Sequence, residues 1–207
     1  LQVWRLEKLK EMGSNAYRCS HYMVPTATLD ACDRLGLLVM AENRLADSGP
    51  EFLDDFKAML RRDRNHPCII LWSIGNEEHT IQWSIAGERI GKTLRRIAHE
   101  LDPTRGVTAA MHDRGLGEGF ANVMDVHGWN YIAVGDIEKY HQLKPNQPIV
   151  GSEEGSTVCT RGEYADDTER GYVSAYDRRC PKWGSLAEKW WPFVADRPWI
   201  AGGFVWT

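Results

Sequence analysis

The feature that most constrains this chain is a series of short apolar runs that do not alternate with polar residues. Leu37-Leu38-Val39-Met40 and Ile69-Ile70-Leu71-Trp72-Ser73-Ile74 are examples, each bounded by segments with helical spacing. A strand that is apolar on both faces has to be covered on both, and helices packed on a parallel sheet do this. Seven such strands are predicted, near 15–21, 37–42, 68–75, 107–111, 123–128, 148–153 and 199–206. Between them, Leu6, Leu9 and Met12 recur at helical spacing before Gly13, and Leu29 to Leu35 runs into Gly36. Ser48-Gly49-Pro50-Glu51 reads as a helix start with a capping box and an early proline. Ile90, Leu94, Ile97, Ala98 and Leu101 share one helix face up to Asp102-Pro103, and 136–143 and 186–194 are also helical. The polar, aromatic stretch 156–184 has no clear period and reads as a functional or partly structured loop.

Composition narrows the function classes. The 207 residues suffice for one sizeable core but are short for a complete (β/α)₈ barrel. Apolar residues at 43% and charged residues at 26% are ordinary globular values, so disorder is a poor reading. No apolar run is long enough to span a bilayer, so no membrane partner is expected. A net charge of −4 gives no field to hold a nucleic acid backbone. Five cysteines without a CxxC pair indicate neither a disulfide framework nor a zinc knuckle, and Cys19 and Cys68 read as small buried hydrophobes. Nine tryptophans suit core packing and, alternatively, stacking against the C–H faces of sugars. No signal peptide is visible, and residue 1 opens directly into a helical pattern, as a domain cut would; periplasmic, secreted and cytoplasmic locations all stay open.

Polar and ionisable residues gather at the C-terminal ends of the predicted strands: His21, Glu42 and Asn43, Asn76 and Glu77, His127, Asn130 and Tyr131, Glu153, and Trp206. In parallel barrels that rim is where active sites are built. Glycoside hydrolysis needs two carboxylates flanking one bond, about 5–5.5 Å apart when the anomeric configuration is retained. Glu77 and Glu153 are far apart in sequence yet each ends a predicted strand. Asn76 can orient a substrate hydroxyl while Glu77 works at the glycosidic oxygen. The bland alternatives are solvated turn acids for both glutamates, a structural histidine for His21, and packing for Tyr131 and Trp206. Asn65-His66-Pro67 reads as a turn. Gly115-Leu116-Gly117-Glu118-Gly119 fails the spacing of a phosphate loop, His112-Asp113 and His127 lack metal-ligand spacing, and no GxSxG elbow exists.

The segment Asn65 to Glu77, ending Leu71-Trp72-Ser73-Ile74-Gly75-Asn76-Glu77, closely resembles the acid/base signature of glycoside hydrolase family 2. Arg18-Cys19-Ser20-His21-Tyr22 resembles the family's second-strand motif, although Met23-Val24-Pro25 follows where the family has proline directly. Ser152-Glu153-Glu154-Gly155 is similar to the nucleophile motif, with Glu154 in a slot usually aromatic. Gly128-Trp129-Asn130-Tyr131 and Gly202-Gly203-Phe204-Val205-Trp206 resemble the sixth- and eighth-strand motifs. Five motifs in the right order cover nearly the whole chain. The resemblance implies a TIM (β/α)₈ barrel of α/β class, here lacking its first strand and the family's preceding β-sandwich domains. It implies a retaining β-glycosidase acting by double displacement on terminal β-linked sugars, with Glu77 as acid/base, Glu153 as nucleophile, and His21, Asn76, Tyr131, Trp206, Glu42 and Asn43 around the sugar. Met40-Ala41-Glu42-Asn43-Arg44-Leu45 looks most like the β-galactosidase type, ahead of β-glucuronidase and β-mannosidase. No cofactor is expected; some β-galactosidases bind magnesium and sodium, but no ligand set is assignable. A carbohydrate is the expected partner. A non-catalytic carbohydrate-binding barrel is the rival reading, in which the two glutamates would not matter. An incomplete barrel with two open edges is also expected to be weakly stable or to form a homo-oligomer.

Overall fold

A computed structural model describes residues 1–112, 117–132, 134–174 and 179–206. Asp113, Gly115 and Leu116 of the two rejected motifs lie outside the described residues. The chain divides into two compact units, Leu1–Met111 with Gly115–His127, and His112–Arg114 with Gly128–Thr207.

The first unit repeats helix and strand in strict alternation: α1 (Gln2–Glu11), β1 (Ala16–Arg18), α2 (Thr26–Leu35), β2 (Leu38–Glu42), α3 (Pro50–Asp63), β3 (Ile69–Asn76), α4 (Ile85–Leu101) and β4 (Gly106–His112). The strands pair in sequence order and in parallel, with Tyr17 opposite Val39, Glu42 opposite Ser73, and Trp72 opposite Val107. Both-face burial, which the apolar runs required, holds past the strand starts: Val39, Met40, Trp72, Ile74 and Val107 are fully buried, whereas Leu38 and Ile70 near the starts of β2 and β3 are exposed. Gly36 ends α2 at φ +67, a conformation glycine adopts without a Cβ penalty. Ser84 caps α4 by accepting from the Gly87 N–H at 3.0 Å.

Buried Trp72 and Asp102 pair with each other in this unit. The Trp72 indole donates to Asp102 Oδ2 at 2.9 Å, and Arg105 reaches the same oxygen at 2.6 Å. Burial alone would raise the Asp102 carboxyl, but hydrogen bonds from Thr104, Arg105 and Trp72 outweigh it and bring its pKa down to about 2. Asn65-His66-Pro67 does turn the chain, and His66 Nδ1 also lies 2.6 Å from Asp33 Oδ2.

Two sequence expectations need correction. No side chain caps α3: Gly49 is its N-cap, Pro50 opens it, and the Gly49 N–H goes to Asp47 Oδ1 at 2.6 Å. Proline at the first helical position has no N–H to satisfy, which relieves the need for a capping box. The strand expected at 123–128 begins only at His127. A 3₁₀ turn (Gly119–Asn122) precedes it, and Val123 is αR. The apolar Val123 and Met124 are buried as a plug beside α4, where Met124 reaches to the side of Gly91. Asp125 is pinned there by Arg95, His99 and the Val107 N–H rather than by a ladder.

The second unit contains β5 (His127–Asn130), whose first residue belongs to the other unit, then α5 (Ile137–Leu143), β6 (Ile149–Gly155), α6 (Ala187–Ala195) and β7 (Ile200–Trp206). β6 and β7 are parallel, pairing Ile149 with Ile200 and Gly155 with Trp206. Gly203 is required for close approach: a Cβ there would sit 2.9 Å from Trp190. The 156–184 stretch is partly structured as expected, tied by Thr160 N–H to the Val173 carbonyl at 2.8 Å and by an Asp167–Tyr172 bridge.

Candidate active site

In the first unit, three adjacent strand ends supply the polar rim. β1 ends at Arg18 and leads to His21, β2 ends at Glu42, and β3 ends at Asn76 with Glu77 next. The β3–β4 register shifts between Ser73 and Asn76, just before Glu77. Such irregularities re-aim a side chain at the end of a strand. Glu77 itself has φ +48, uncommon for a residue with a Cβ. Its backbone is held there by Glu77 N–H to the Ala110 carbonyl at 2.8 Å and His79 N–H to the Glu77 carbonyl at 2.7 Å. Its carboxylate is part-exposed, with His79 Nε2 at 3.5 Å.

Behind Glu77 lies a buried network. The Arg18 guanidinium donates to Glu42 Oε2 at 2.8 Å and to Asn76 Oδ1 at 2.8 Å. His21 Nδ1 is 2.7 Å from Glu42 Oε1, and Ser73 Oγ donates to Glu42 Oε2 at 3.1 Å. His21, Glu42 and Asn76 are thus brought together, as their strand-end positions suggested. Asn43 stands apart from these contacts, its amide donating to the Leu45 carbonyl at 2.8 Å. Both Glu42 oxygens face donors, one of them a permanent cation, so this carboxylate does not fit a magnesium or sodium ligand.

In the second unit, the β6–β7 register shifts between Gly151 and Glu154, on either side of Glu153. The buried Glu153 carboxylate accepts from the Tyr131 hydroxyl at 3.0 Å, and that hydroxyl accepts from Ser156 at 3.0 Å. Tyr131 and Ser156 both have positive φ, +62 and +55, and Tyr131 N–H donates to the Glu153 carbonyl at 2.6 Å. Strained backbone at three residues of the two rims fits strain being concentrated at functional sites. Ser152 donates to Asn130 Oδ1 at 2.6 Å, and Trp206 ends β7 half-buried.

Glu153 and Glu154 are adjacent but differently placed. Glu154 is fully buried and accepts from the Ile132 N–H at 3.1 Å. Its side chain lies over Gly151 and Gly203, whose missing Cβ atoms leave the room it occupies. Burial pushes the Glu154 carboxyl up to about 9; the Ile132 N–H opposes this and the Glu153 charge adds to it. A carboxyl that is neutral near pH 7 is a poor nucleophile.

Sequence reasoning passed over Arg18, Ser156 and His79. Arg18 had a signal, since it opens the Arg18-Cys19-Ser20-His21-Tyr22 motif three residues before His21. Ser156 had none, because its relation to Tyr131, 25 residues away, exists only in three dimensions. Among the described residues, Asp30, Asp33 and His66 are also close enough to share an ion, but the two aspartates are in α2 and His66 is in the turn before β3, and Asp33 already pairs with His66 and the Cys68 N–H.

The model of glycosyl hydrolases family 2, TIM barrel domain, matches residues 1–178. Over 98% of its length the chain is 30% identical to beta-galactosidase BoGH2A of Bacteroides ovatus, covering 31% of that protein. Over 99% of its length it is 30% identical to a putative beta-glucuronidase of Formosa agariphila, covering 22% of that one. Among solved structures it resembles a glycosyl hydrolase family 2 member from Bacteroides cellulosilyticus, with a TM-score of 0.77 and 31% identity over the whole of this chain and 25% of the other. The chain therefore spans less than a third of the length of these curated relatives.

Proposed function

Because this chain belongs to glycosyl hydrolases family 2 as a TIM barrel domain, we propose that it supplies the catalytic barrel of a retaining β-glycosidase, with a β-galactoside as the first-choice substrate. In this reading Glu77 protonates the glycosidic oxygen as the Glu153 carboxylate attacks the anomeric carbon. The leaving sugar or aglycone departs and a glycosyl ester forms on Glu153. Glu77, now ionised, takes a proton from water, and that water displaces Glu153 with net retention. Tyr131 donates to the Glu153 carboxylate and sets its orientation. Asn76 and His21 bind sugar hydroxyls, Trp206 stacks against the ring, and Glu42 holds His21. Asn43 keeps a rim position, with its backbone N–H on the Ser73 carbonyl and its side-chain amide on the Leu45 carbonyl.

The observation that carries the assignment is the Tyr131–Glu153 hydrogen bond of 3.0 Å, set against the buried, protonated Glu154 beside it. It favours Glu153 as the attacking group although Glu154 occupies the neighbouring place in the motif. The β-galactoside preference is supported by the Met40 to Leu45 segment and by the name of the Bacteroides ovatus relative. No metal is assigned a step, since Glu42 is engaged with Arg18.

The test uses the full-length protein with p-nitrophenyl β-galactoside, β-glucuronide and β-mannoside. Glu77→Gln and Glu153→Gln are each expected to lower kcat by about 10²–10⁴-fold on the preferred sugar. A 2-deoxy-2-fluoro glycoside is expected to leave a covalent adduct whose peptide maps to Glu153. Parental rates in both variants, or an adduct on Glu154, would remove the assignment. Faster turnover of the glucuronide would move the substrate while keeping the chemistry.

A further inference from the structure

The Arg18 side chain is only 4% exposed, and it links three strand ends in the first unit. Its Nε and Nη2 both reach Glu42 Oε2, at 2.8 and 2.7 Å, and Nη2 also reaches Asn76 Oδ1 at 2.8 Å. A guanidinium donates and never accepts. The Asn76 atom facing it is therefore the carbonyl oxygen, and the amide nitrogen occupies the other branch of the side chain. The same reasoning fixes His21. A carboxylate beside a guanidinium accepts, so His21 Nδ1, 2.7 Å from Glu42 Oε1, carries a proton. In the neutral ring Nε2 is then the acceptor. Arg18 Nη2 approaches that Nδ1 at 3.3 Å, a longer contact that a protonated nitrogen cannot accept.

We propose that Arg18 is a positioning residue which orients Asn76 as a hydrogen-bond donor toward the substrate and, through Glu42, holds His21 as the Nδ1–H tautomer. The substrate part of this proposal rests on the β-glycosidase reading, whereas the orientation of the two side chains does not. Arg18 can hold both at once because its donors lie in one rigid plane. A lysine has a single ammonium and reaches Glu42 or Asn76, not both.

The experiment uses the full-length protein and the variants Arg18→Lys, Asn76→Asp and their double mutant. Substrates are p-nitrophenyl β-galactoside and its 2-deoxy analogue. Arg18→Lys is expected to lower kcat/KM on the first by about 10²-fold, the size of effect that misplacement of a binding group produces. The loss on the 2-deoxy sugar is expected to be much smaller, because the hydroxyl that Asn76 would bind is missing. A purely structural role would lower both alike. Asn76→Asp is expected to give the same collapse of selectivity, and the double mutant to be no worse than either single variant. Equal losses on the two substrates, or fully multiplicative losses in the double mutant, overturn the proposal. Should the parent protein turn over none of the β-galactoside, β-glucuronide and β-mannoside, the β-glycosidase reading fails and a crystal structure of Arg18→Lys decides this one. An Asn76 amide that has rotated supports it, and an unmoved Asn76 and His21 overturn it.

Discussion

The side chains of two neighbouring glutamates of one strand meet different surroundings. Glu153 accepts a hydroxyl, while Glu154 meets one backbone N–H and apolar neighbours. Between the usual carboxylate range and about pH 9, Glu154 is protonated in the folded protein and ionised in the unfolded chain. Ionisation thus favours unfolding across that window, and stability falls as pH rises through it. Glu154→Gln keeps an acceptor for the Ile132 N–H and has no proton to lose. Its thermal midpoint is expected to match the parent at pH 4 and to exceed it at pH 8, as scanning calorimetry would record. A midpoint below the parent at pH 8 would mean that an ionised Glu154 has a cation partner.

Among elements, the segment between β3 and α4 matters most, because it carries Glu77 and is braced by the start of α4. Gly87 lies in the first turn of α4, and a Cβ there would be 2.1 Å from the Ile81 carbonyl oxygen. That contact involves backbone on both sides, so no rotamer change relieves it. Gly87→Ala is expected to destabilise by about 1–3 kcal/mol, the range for overpacking, although alanine is the better helix former. Denaturant unfolding measures the loss. Activity is expected to fall with it, since residues 77–84 have to shift. An unchanged midpoint would show that the turn gives way elsewhere at no cost.

For the molecule as a whole, β7 is less well covered than β6, the strand it pairs with. Every residue of β6 is buried, whereas β7 is part-exposed and Val205 is 64% exposed. β1 pairs with β2, and β7 with β6, as the outer members of their units. A strand with one unpaired side and an exposed apolar residue is a template for association. The 207-residue chain by itself is expected to gain mass with concentration in sedimentation velocity, and Val205→Lys to reduce this. A monomer at all concentrations would contradict it.

The sequence alone determined the alternation of helix and strand, the parallel sheet and the strand-end positions of Glu42, Asn76, Glu77, Tyr131, Glu153 and Trp206, whereas the strand expected to end at His21 stops at Arg18. Both-face apolar runs and helical periods are local, so they can be read along a line. The delayed start of β5 was not legible, because Val123 and Met124 are apolar whether they belong to a strand or to a plug beside α4. Only the tertiary structure separated Glu153 from Glu154, since a pKa depends on which groups from other strands surround a carboxyl. Only it showed Arg18 between Glu42 and Asn76, 24 and 58 residues away. Those contacts join three strand ends that the chain visits in turn, and no spacing along one segment encodes them.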